Sequence, residues 1–341
     1  ILNTTAPKPS VAHAWVETSK TIGNLKRAAN LLNAVLRKVA AENPENLPNP
    51  IHNLPFWLRK RLIADWGQKR MEQIAAMLLE VPPTDLRIMR DKENPAGDAH
   101  IINEQLVRLI DASIDVRDLK GFDEGGFMVQ NFAAGLPVDL GLSLHVGAKT
   151  AIDLCAAPGG KTIQLLDQGL EVTAVDYNTR RLTKLEQNLS RLGLEARTIR
   201  ADVLELQQGD DESYDIVLLD APCTATGTIR RHPDLLIQKE ESQLAELVEI
   251  QEKMLDRASS LLAPGGILIY AVCSLFKKEG EEQATNFLAH HGDFELVAPV
   301  LPEWLAGAND INTEHGVRIL PDHYLEHGGL DGFYMGFFRR K

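Results

Sequence analysis

The sequence predicts an α/β protein whose larger, C-terminal part is a doubly wound parallel sheet, preceded by a helical segment and a small α/β module. Five apolar runs of strand length in residues 127–341 alternate with stretches rich in helix formers, a pattern typical of a parallel sheet with helices on both faces. Of the 341 residues, 44% are hydrophobic and 25% are charged, which excludes a fibrous or largely disordered chain.

Residues 1–80 are predicted to be helical. Apolar residues recur at helical spacing from Val11 to Ala40, and the pattern stops at Asn43-Pro44, before a proline-rich stretch through Pro55. A second amphipathic run extends from Phe56 to Leu79. Residues 1–70 hold 11 Lys and Arg against 4 Asp and Glu, although the whole chain carries a net charge of −12. This basic segment suits an RNA-docking appendage, and a solvated helical face explains it equally well.

Residues 81–126 are predicted to form the small α/β module. The runs LRIM, AHII and SIDVRDL are rich in β-formers and are separated by polar turns and one helix-like stretch. From residue 127 the strand-length runs are TAIDLC (150–155), EVTAVD (171–176), ARTIRAD (196–202), YDIVLLDAP (214–222) and GGILIYAVCS (265–274). Ligands of such sheets bind at the carboxyl ends of the strands, so the residues after each run are the candidates for function.

The first run leads into a glycine-containing loop, which is typical of a cofactor site. Its residues are Cys155, Ala156, Ala157, Pro158, Gly159, Gly160 and Lys161. The dinucleotide fingerprint is absent, and the phosphate-binding loop lacks its leading glycine. S-adenosylmethionine has no phosphate, so it needs only space at this loop and carboxylates for its ribose and adenine. Asp176 and Asp202, at the ends of the next two runs, are placed to accept from these groups, and a helix N-cap or solvated turn explains one such aspartate equally well.

Two of the three cysteines follow predicted strands at the same edge. Cys155 is interpreted as a core residue, whereas Cys223 and Cys273 lie in loops where a thiol can be reached. One methyl transfer needs such a thiol, because addition of a thiolate to carbon 6 of a pyrimidine activates carbon 5. Asp220, if protonated, could hydrogen-bond N3 of cytosine. A zinc site is the alternative, but no C-x-x-C motif or histidine cluster accompanies either cysteine, so no metal is predicted.

Several motifs together resemble the NOL1/NOP2/Sun family of RNA cytosine-C5 methyltransferases, and within it the bacterial Fmu/Sun type that acts on small-subunit ribosomal RNA. They are DLCAAPGGKT (153–162), VDYNTRRL (175–182), LLDAPCTATGTIRRHPD (218–234), YAVCSLFKKEGEEQ (270–283) and DGFYMGFF (331–338). The resemblance implies a Rossmann-like S-adenosylmethionine-dependent methyltransferase domain over residues 127–341. It also implies a NusB-like RNA-binding segment over residues 1–80 and an RRM-like module over residues 81–126.

The resemblance also assigns roles that the residues alone leave open. Cys273 becomes the nucleophile, and Cys223, which spacing alone would have favoured for that role, serves product release. Lys161 orients the target base. The loop from Cys155 to Lys161, together with Asp176, Asp202 and Asp220, lines the S-adenosylmethionine site. Two departures are the pair Gln130-Asn131, where the family often has Gln-Asp, and the N-terminal part, because a complete Fmu-type protein begins well before Val11. The start at Ile1 without methionine suggests that a longer chain was trimmed or that its first part was lost.

The remaining expectations concern partners. Arg230, Arg231 and His232 follow the Cys223 loop and are candidates for contacts to RNA phosphates, with a solvated loop as the alternative. The expected substrate is small-subunit ribosomal RNA, and the protein is expected to be a monomer. A cytoplasmic location is expected because the cysteines are sparse and no stretch reaches the roughly 18 apolar residues of a membrane span. The competing functions are a non-catalytic RNA-binding factor that retains the cofactor fold and a nicotinamide-dependent oxidoreductase.

Overall fold

The structure, a computed structural model, describes residues 8–21, 26–41, 49–78, 80–111, 114–206, 213–305 and 310–341. The chain divides into two compact units, residues 1–53 and 54–341. The first unit contains helix α1 (Lys8–Thr21) and helix α2 (Ala29–Ala41), as the apolar spacing predicts. The predicted stop at Asn43-Pro44 lies outside the described residues. None of the helices within the described ranges is long and apolar enough to cross a membrane.

Helix α3 (Phe56–Met77) opens the second unit and is bent at Gly67. Gly67 has a φ of +78°, a left-handed conformation that glycine adopts without strain. Leu58 and Leu62 before the bend and Ile74 after it are buried, so both halves of the helix pack their apolar face against the unit. The predicted amphipathic run is confirmed as a helix, although its predicted last residue, Leu79, lies outside the described residues.

The small module is a four-stranded antiparallel sheet with the order β2-β3-β1-β4. Its strands are β1 (Asp85–Ile88), β2 (Ala99–Ile101), β3 (Leu106–Leu109) and β4 (Phe127–Val129). The predicted β-rich run SIDVRDL is wrong as a strand: Val116–Asp118 is a 3-10 turn, because the Asp115 side chain accepts from the Arg117 amide and caps the turn. The strand comes instead from Leu106–Leu109. Strand β4 lies beyond the predicted module boundary at residue 126, and the three-part domain division remains a prediction.

Helix α4 (Phe132–Leu144) precedes the large sheet. Its strands and helices follow in the order β5 (Thr150–Leu154), α5 (Gly160–Asp167), β6 (Glu171–Asp176), α6 (Thr179–Leu192), β7 (Arg197–Arg200), β8 (Tyr214–Asp220), α7 (Leu235–Gln238), α8 (Glu241–Ser260), β9 (Leu262–Val272), α9 (Glu281–His290), β10 (Phe294–Leu296), β11 (Asn312–Thr313), β12 (Gly316–Ile319) and β13 (Phe333–Arg340).

The order of the large sheet is β11-β12-β13-β9-β8-β5-β6-β7, with β10 beside β13. Strands β5 to β9 are parallel, and β13 pairs antiparallel with β9. Ile216 and Leu218 of β8 pack into one buried cluster, while Val217 and Leu219 pack into a second. Both faces of β8 are therefore covered, which confirms the doubly wound α/β prediction. The strand order reverses between β5 and β8, where such sheets bind their ligands.

Candidate active site

The structure brings Cys223 and Cys273 together at the carboxyl edge of the large sheet. Their Sγ atoms lie 3.5 Å apart, because strands β8 and β9 are parallel neighbours and each cysteine follows the end of one of them. Both cysteines are partly buried. The contact with Cys273, together with burial, raises the pKa of the Cys223 thiol well above its usual range.

Lys161 and Asp220 form an ion pair at the same edge. Lys161 Nζ donates to Asp220 Oδ2 over 2.7 Å, and the lysine side chain is 9% exposed. The lysine stands in the first turn of α5 and its Nζ lies 5.3 Å from the centre of the Phe333 ring. Burial is the largest single influence and would lower the pKa of Lys161, but the charge and hydrogen bond of Asp220, together with the nearby Asp153 and Cys273, raise it overall. The pair therefore joins the loop after β5 to the end of β8.

The predicted cofactor loop turns sharply between β5 and α5. Cys155 has a φ of +66°, and Gly159, which caps α5, has a φ of +108°. A Cβ at Gly159 would lie 3.1 Å from Leu185 Cγ, so glycine also lets the loop pack closely on helix α6. Cys155 is partly buried and packs against the buried cluster that contains Val217 and Leu219, which agrees with its interpretation as a structural residue. The two left-handed residues thus form a tight turn that lies at the switch point between β5 and β8.

The predicted cofactor aspartates occupy different environments. Asp176, at the end of β6, has a buried carboxylate that accepts from the amides of Ala157 over 3.2 Å and Asn178 over 2.9 Å. Asp202 caps the turn after β7 by accepting from the Leu204 amide over 2.9 Å. Such a cap is the alternative to a cofactor role that the sequence left open. Both lie at the carboxyl edge, and their roles toward a cofactor remain predictions.

Asp153 is a buried acid that the sequence did not single out. It stands in β5, and its Oδ2 accepts from the Thr162 hydroxyl over 2.6 Å. Its Oδ1 has no hydrogen-bond partner among the described residues. Burial raises the pKa of Asp153 to about 7, although the hydrogen bond from Thr162 opposes the shift.

One of the three predicted RNA contacts, Arg230, needs correction, and that of Arg231 remains a prediction. Arg230 is buried, and its Nε donates to Asp331 Oδ1 over 3.0 Å. Arg231 Nε donates to Asp331 Oδ2 over 2.6 Å, and its side chain is 25% exposed. Arg230 is therefore not available for a surface phosphate, because its guanidinium is buried against a carboxylate. His232 is exposed, and its predicted contact with RNA remains a prediction.

The sequence also did not single out Glu279, which lies beneath both cysteine loops. It is fully buried and bonds to residues that directly follow each cysteine. It stands in the run KKEGEEQ, whose charges indicate a solvated surface, so no local pattern could have marked it as buried. Within the described residues, no group of three or more His, Cys, Asp or Glu side chains is arranged to hold a metal ion.

The chain is similar to ribosomal RNA methyltransferases in sequence. Residues 142–339 match the family model described as 16S rRNA methyltransferase RsmB/F. The chain is 38% identical over 350 residues to ribosomal RNA small subunit methyltransferase B of Pseudomonas syringae pv. tomato, covering 95% of this chain and 76% of that protein. It is 37% identical over 309 residues to the protein of the same name from Serratia proteamaculans, covering 84% and 71% of the two chains.

Solved structures share its fold at lower identity. The crystal structure of PH0851 matches with a TM-score of 0.77 at 22% identity and covers 99% of this chain and 78% of that chain. NSun6 from Pyrococcus horikoshii matches with a TM-score of 0.65 at 20% identity and covers 84% and 98% of the two chains. These matches show a common fold.

Proposed function

The chain belongs to the RsmB/F family of 16S rRNA methyltransferases, and we propose that it transfers a methyl group from S-adenosylmethionine to carbon 5 of a cytosine in small-subunit ribosomal RNA. The family resemblance predicted from the motifs is confirmed. The observation that carries the proposed chemistry is the 3.5 Å separation of the Cys223 and Cys273 sulfur atoms at the ligand-binding edge of the sheet. A ribosomal substrate is consistent with a cytoplasmic enzyme.

The residues at the switch point fit S-adenosylmethionine. The loop from Cys155 to Lys161 has no complete phosphate-binding motif, which suits a nucleoside without phosphates. Asp176, Asp202 and Asp220 supply carboxylates, which accept hydrogen bonds from ribose hydroxyls and an adenine amine. When bound, S-adenosylmethionine supplies an electrophilic methyl on a cationic sulfur, and the acidic edge favours that charge.

The cysteines and the ion pair divide the remaining chemistry. The Cys273 thiolate adds to carbon 6 of the cytosine, so that electron density rises at carbon 5. Asp220 Oδ2 accepts from Lys161 Nζ and orients it. The lysine ammonium donates the hydrogen bond to N3 that offsets the charge building there. After methylation, a base takes the proton from carbon 5, the electron pair of that C–H bond re-forms the double bond between carbons 5 and 6, and Cys273 leaves carbon 6 as a thiolate. Cys223, in contact with Cys273, assists this release.

The test compares two variants with the same unmodified 16S rRNA transcript and tritiated S-adenosylmethionine. Cys273→Ala is expected to incorporate no tritium and to form no covalent complex with RNA. Cys223→Ala is expected to transfer the methyl group but to accumulate a protein–RNA complex that survives denaturing electrophoresis. Full methylation by the Cys273→Ala variant would refute the mechanism, and RNA binding by the parent protein without any methylation would indicate a non-catalytic factor.

The parts before the catalytic sheet are proposed to bind RNA. The excess of basic residues over residues 1–70 supports this role for the NusB-like segment, and the small sheet β1–β4 takes the place of the predicted RRM-like module. A filter-binding titration of 16S rRNA with the full chain and with a chain lacking residues 1–53 tests the first assignment. We expect weaker binding and a shallower salt dependence in the shortened chain.

A further inference from the structure

The two cysteine-bearing loops share a buried carboxylate. Thr224 follows Cys223 and Ser274 follows Cys273, and both have side chains that are no more than 1% exposed. Glu279, which is 0% exposed, stands where these two residues meet. The two cysteines come from strands fifty residues apart in the chain, so the relative position of their loops depends on contacts of this kind.

Glu279 accepts four hydrogen bonds, three of them from the residues next to the cysteines. Its Oε1 accepts from the Thr224 amide over 2.9 Å and from Gln251 Nε2 over 2.9 Å. Its Oε2 accepts from the Thr224 hydroxyl and from the Ser274 hydroxyl, each over 2.5 Å. A buried carboxylate with every lone-pair direction used holds its donors in a defined geometry. One side chain thus fixes both loops at the residue directly after each sulfur-bearing residue.

Other contacts hold the same two loops. The hydroxyl oxygens of Thr224 and Ser274 lie 3.1 Å apart, and Arg318 Nη1 donates to the Ser274 carbonyl. The Gly227 amide donates to the Cys273 carbonyl over 2.9 Å, and the Leu275 amide donates to Thr226 Oγ1 over 2.9 Å. Trp66 Nε1 donates to the Leu275 carbonyl over 2.8 Å. These bonds keep the loops attached to each other and to α3, so loss of the Glu279 carboxylate would loosen the segment next to the sulfurs without detaching either loop.

We propose that Glu279 is a positioning residue for the catalytic cysteines, which keeps the sulfur atoms of Cys223 and Cys273 in contact by bonding to Thr224 and Ser274. The importance of this role for catalysis rests on the proposed function. The distance between the two sulfur atoms can be probed without substrate. The carboxylate touches neither sulfur in the bond network described above, so it acts through the two loops.

Two substitutions separate geometry from charge. In Glu279→Gln, the amide oxygen can take the place of Oε1. The amide nitrogen takes the place of Oε2 and can donate to the hydroxyl oxygens of Thr224 and Ser274, which then accept instead of donating. The loops should therefore stay in place. In Glu279→Ala, the Thr224 amide and the side-chain amide of Gln251 lose their buried acceptor, and the two hydroxyls lose their common partner.

The geometric test measures disulfide formation between Cys223 and Cys273 in the full chain without RNA or S-adenosylmethionine. Oxidised dithiothreitol is the oxidant: it accepts two electrons and two protons as the two thiols become one disulfide. The product is identified by peptide mass spectrometry. We expect the parent chain and Glu279→Gln to react at similar rates and Glu279→Ala to react at least ~10-fold more slowly, because the effective concentration of one thiol at the other falls.

The matched control is Asp85→Ala. Asp85 is equally buried and accepts from Arg108, Asn131 and Phe132, but these donors do not belong to the cysteine loops. The control is expected to react at the parent rate. If Glu279→Ala does not fold, Thr224→Val and Ser274→Ala take its place, and each is expected to slow disulfide formation.

Methyl transfer supplies the second measurement. We expect the single-turnover rate to follow the disulfide rate across the three Glu279 chains, with KM for RNA unchanged. An unchanged disulfide rate in folded Glu279→Ala, or in both substitute variants, would overturn the proposal. If the disulfide rates change but even the parent chain methylates no RNA, the positioning role stands and the proposed function fails.

Discussion

Removal of the Asp331 charge should destabilise the protein strongly. Asp331 is 2% exposed and pairs with Arg230, whose side chain is 0% exposed. In Asp331→Asn the shape of the side chain and one oxygen acceptor are kept, but the buried Arg230 guanidinium, which also donates to the Gly328 carbonyl over 2.8 Å, loses its counter-charge. Breaking a buried ion pair from one side costs about 3–5 kcal/mol. Because Nη2 of Arg230 already has no partner among the described residues, we expect the cost to fall in that range.

The opposite substitution should cost less. In Arg230→Met, Asp331 keeps its 2.6 Å ion pair with Arg231, whose side chain reaches solvent, so we expect a loss of about 1–2 kcal/mol. Urea denaturation followed by circular dichroism gives both free energies of unfolding. The control is Asp256→Asn, because Asp256 pairs with His291 at the surface, and such pairs contribute at most about 1 kcal/mol. A larger loss for Arg230→Met than for Asp331→Asn would refute the reasoning.

Three further predictions concern the site and its supports. Because burial raises the pKa of Asp153 to about 7, the folded chain keeps a proton that the unfolded chain loses near pH 4. The free energy of unfolding should therefore fall by about 1.4 kcal/mol per pH unit between about pH 4 and pH 7 from this group, and urea titrations of Asp153→Asn should lack this contribution. Gly227→Ala places a methyl group against the Gly332 carbonyl oxygen and should cost about 1–3 kcal/mol in urea denaturation. Gly292→Ala, where a Cβ meets nothing within 4 Å, is its control, and equal losses in the two variants would contradict the prediction. Trp66→Phe removes the donor to the Leu275 carbonyl and should cost about 1 kcal/mol and slow methyl transfer, whereas Trp15→Phe, at a residue 59% exposed, should change neither; an unchanged melting temperature and rate in Trp66→Phe would count against the bond.

The parallel sheet could be predicted because each of its strands is marked by a local run of apolar residues. Runs such as EVTAVD and YDIVLLD are apolar over strand length, and the structure places strands at Glu171–Asp176 and Tyr214–Asp220. Parallel strands end at a common edge, so the sequence also indicates that Cys223 and Cys273 share it. Their 3.5 Å contact needs the strand order as well, because only neighbouring strands bring their loops together.

The contacts that were missed depend on residues distant in the chain. The run RRHPD indicates a surface position for Arg230. Its partner Asp331 lies about a hundred residues later in the chain, and their ion pair allows Arg230 to be buried. Glu279 reads as part of a solvated charge run, yet donors from Thr224 and Ser274 satisfy it in the interior. Burial of a charge is decided by such partners, and periodicity within one element carries no information about them.

Strand β13 has a consequence for synthesis of the protein. It pairs with β9 from Tyr334 opposite Val272 to Arg339 opposite Ile267, so it covers one edge of the strand that Cys273 follows. During synthesis on the ribosome, β9 emerges before β13, so one edge of β9 stays unpaired until β13 has left the exit tunnel. Unpaired strand edges can pair with other nascent chains. Chains truncated before Phe333 should therefore aggregate rather than yield partly active enzyme.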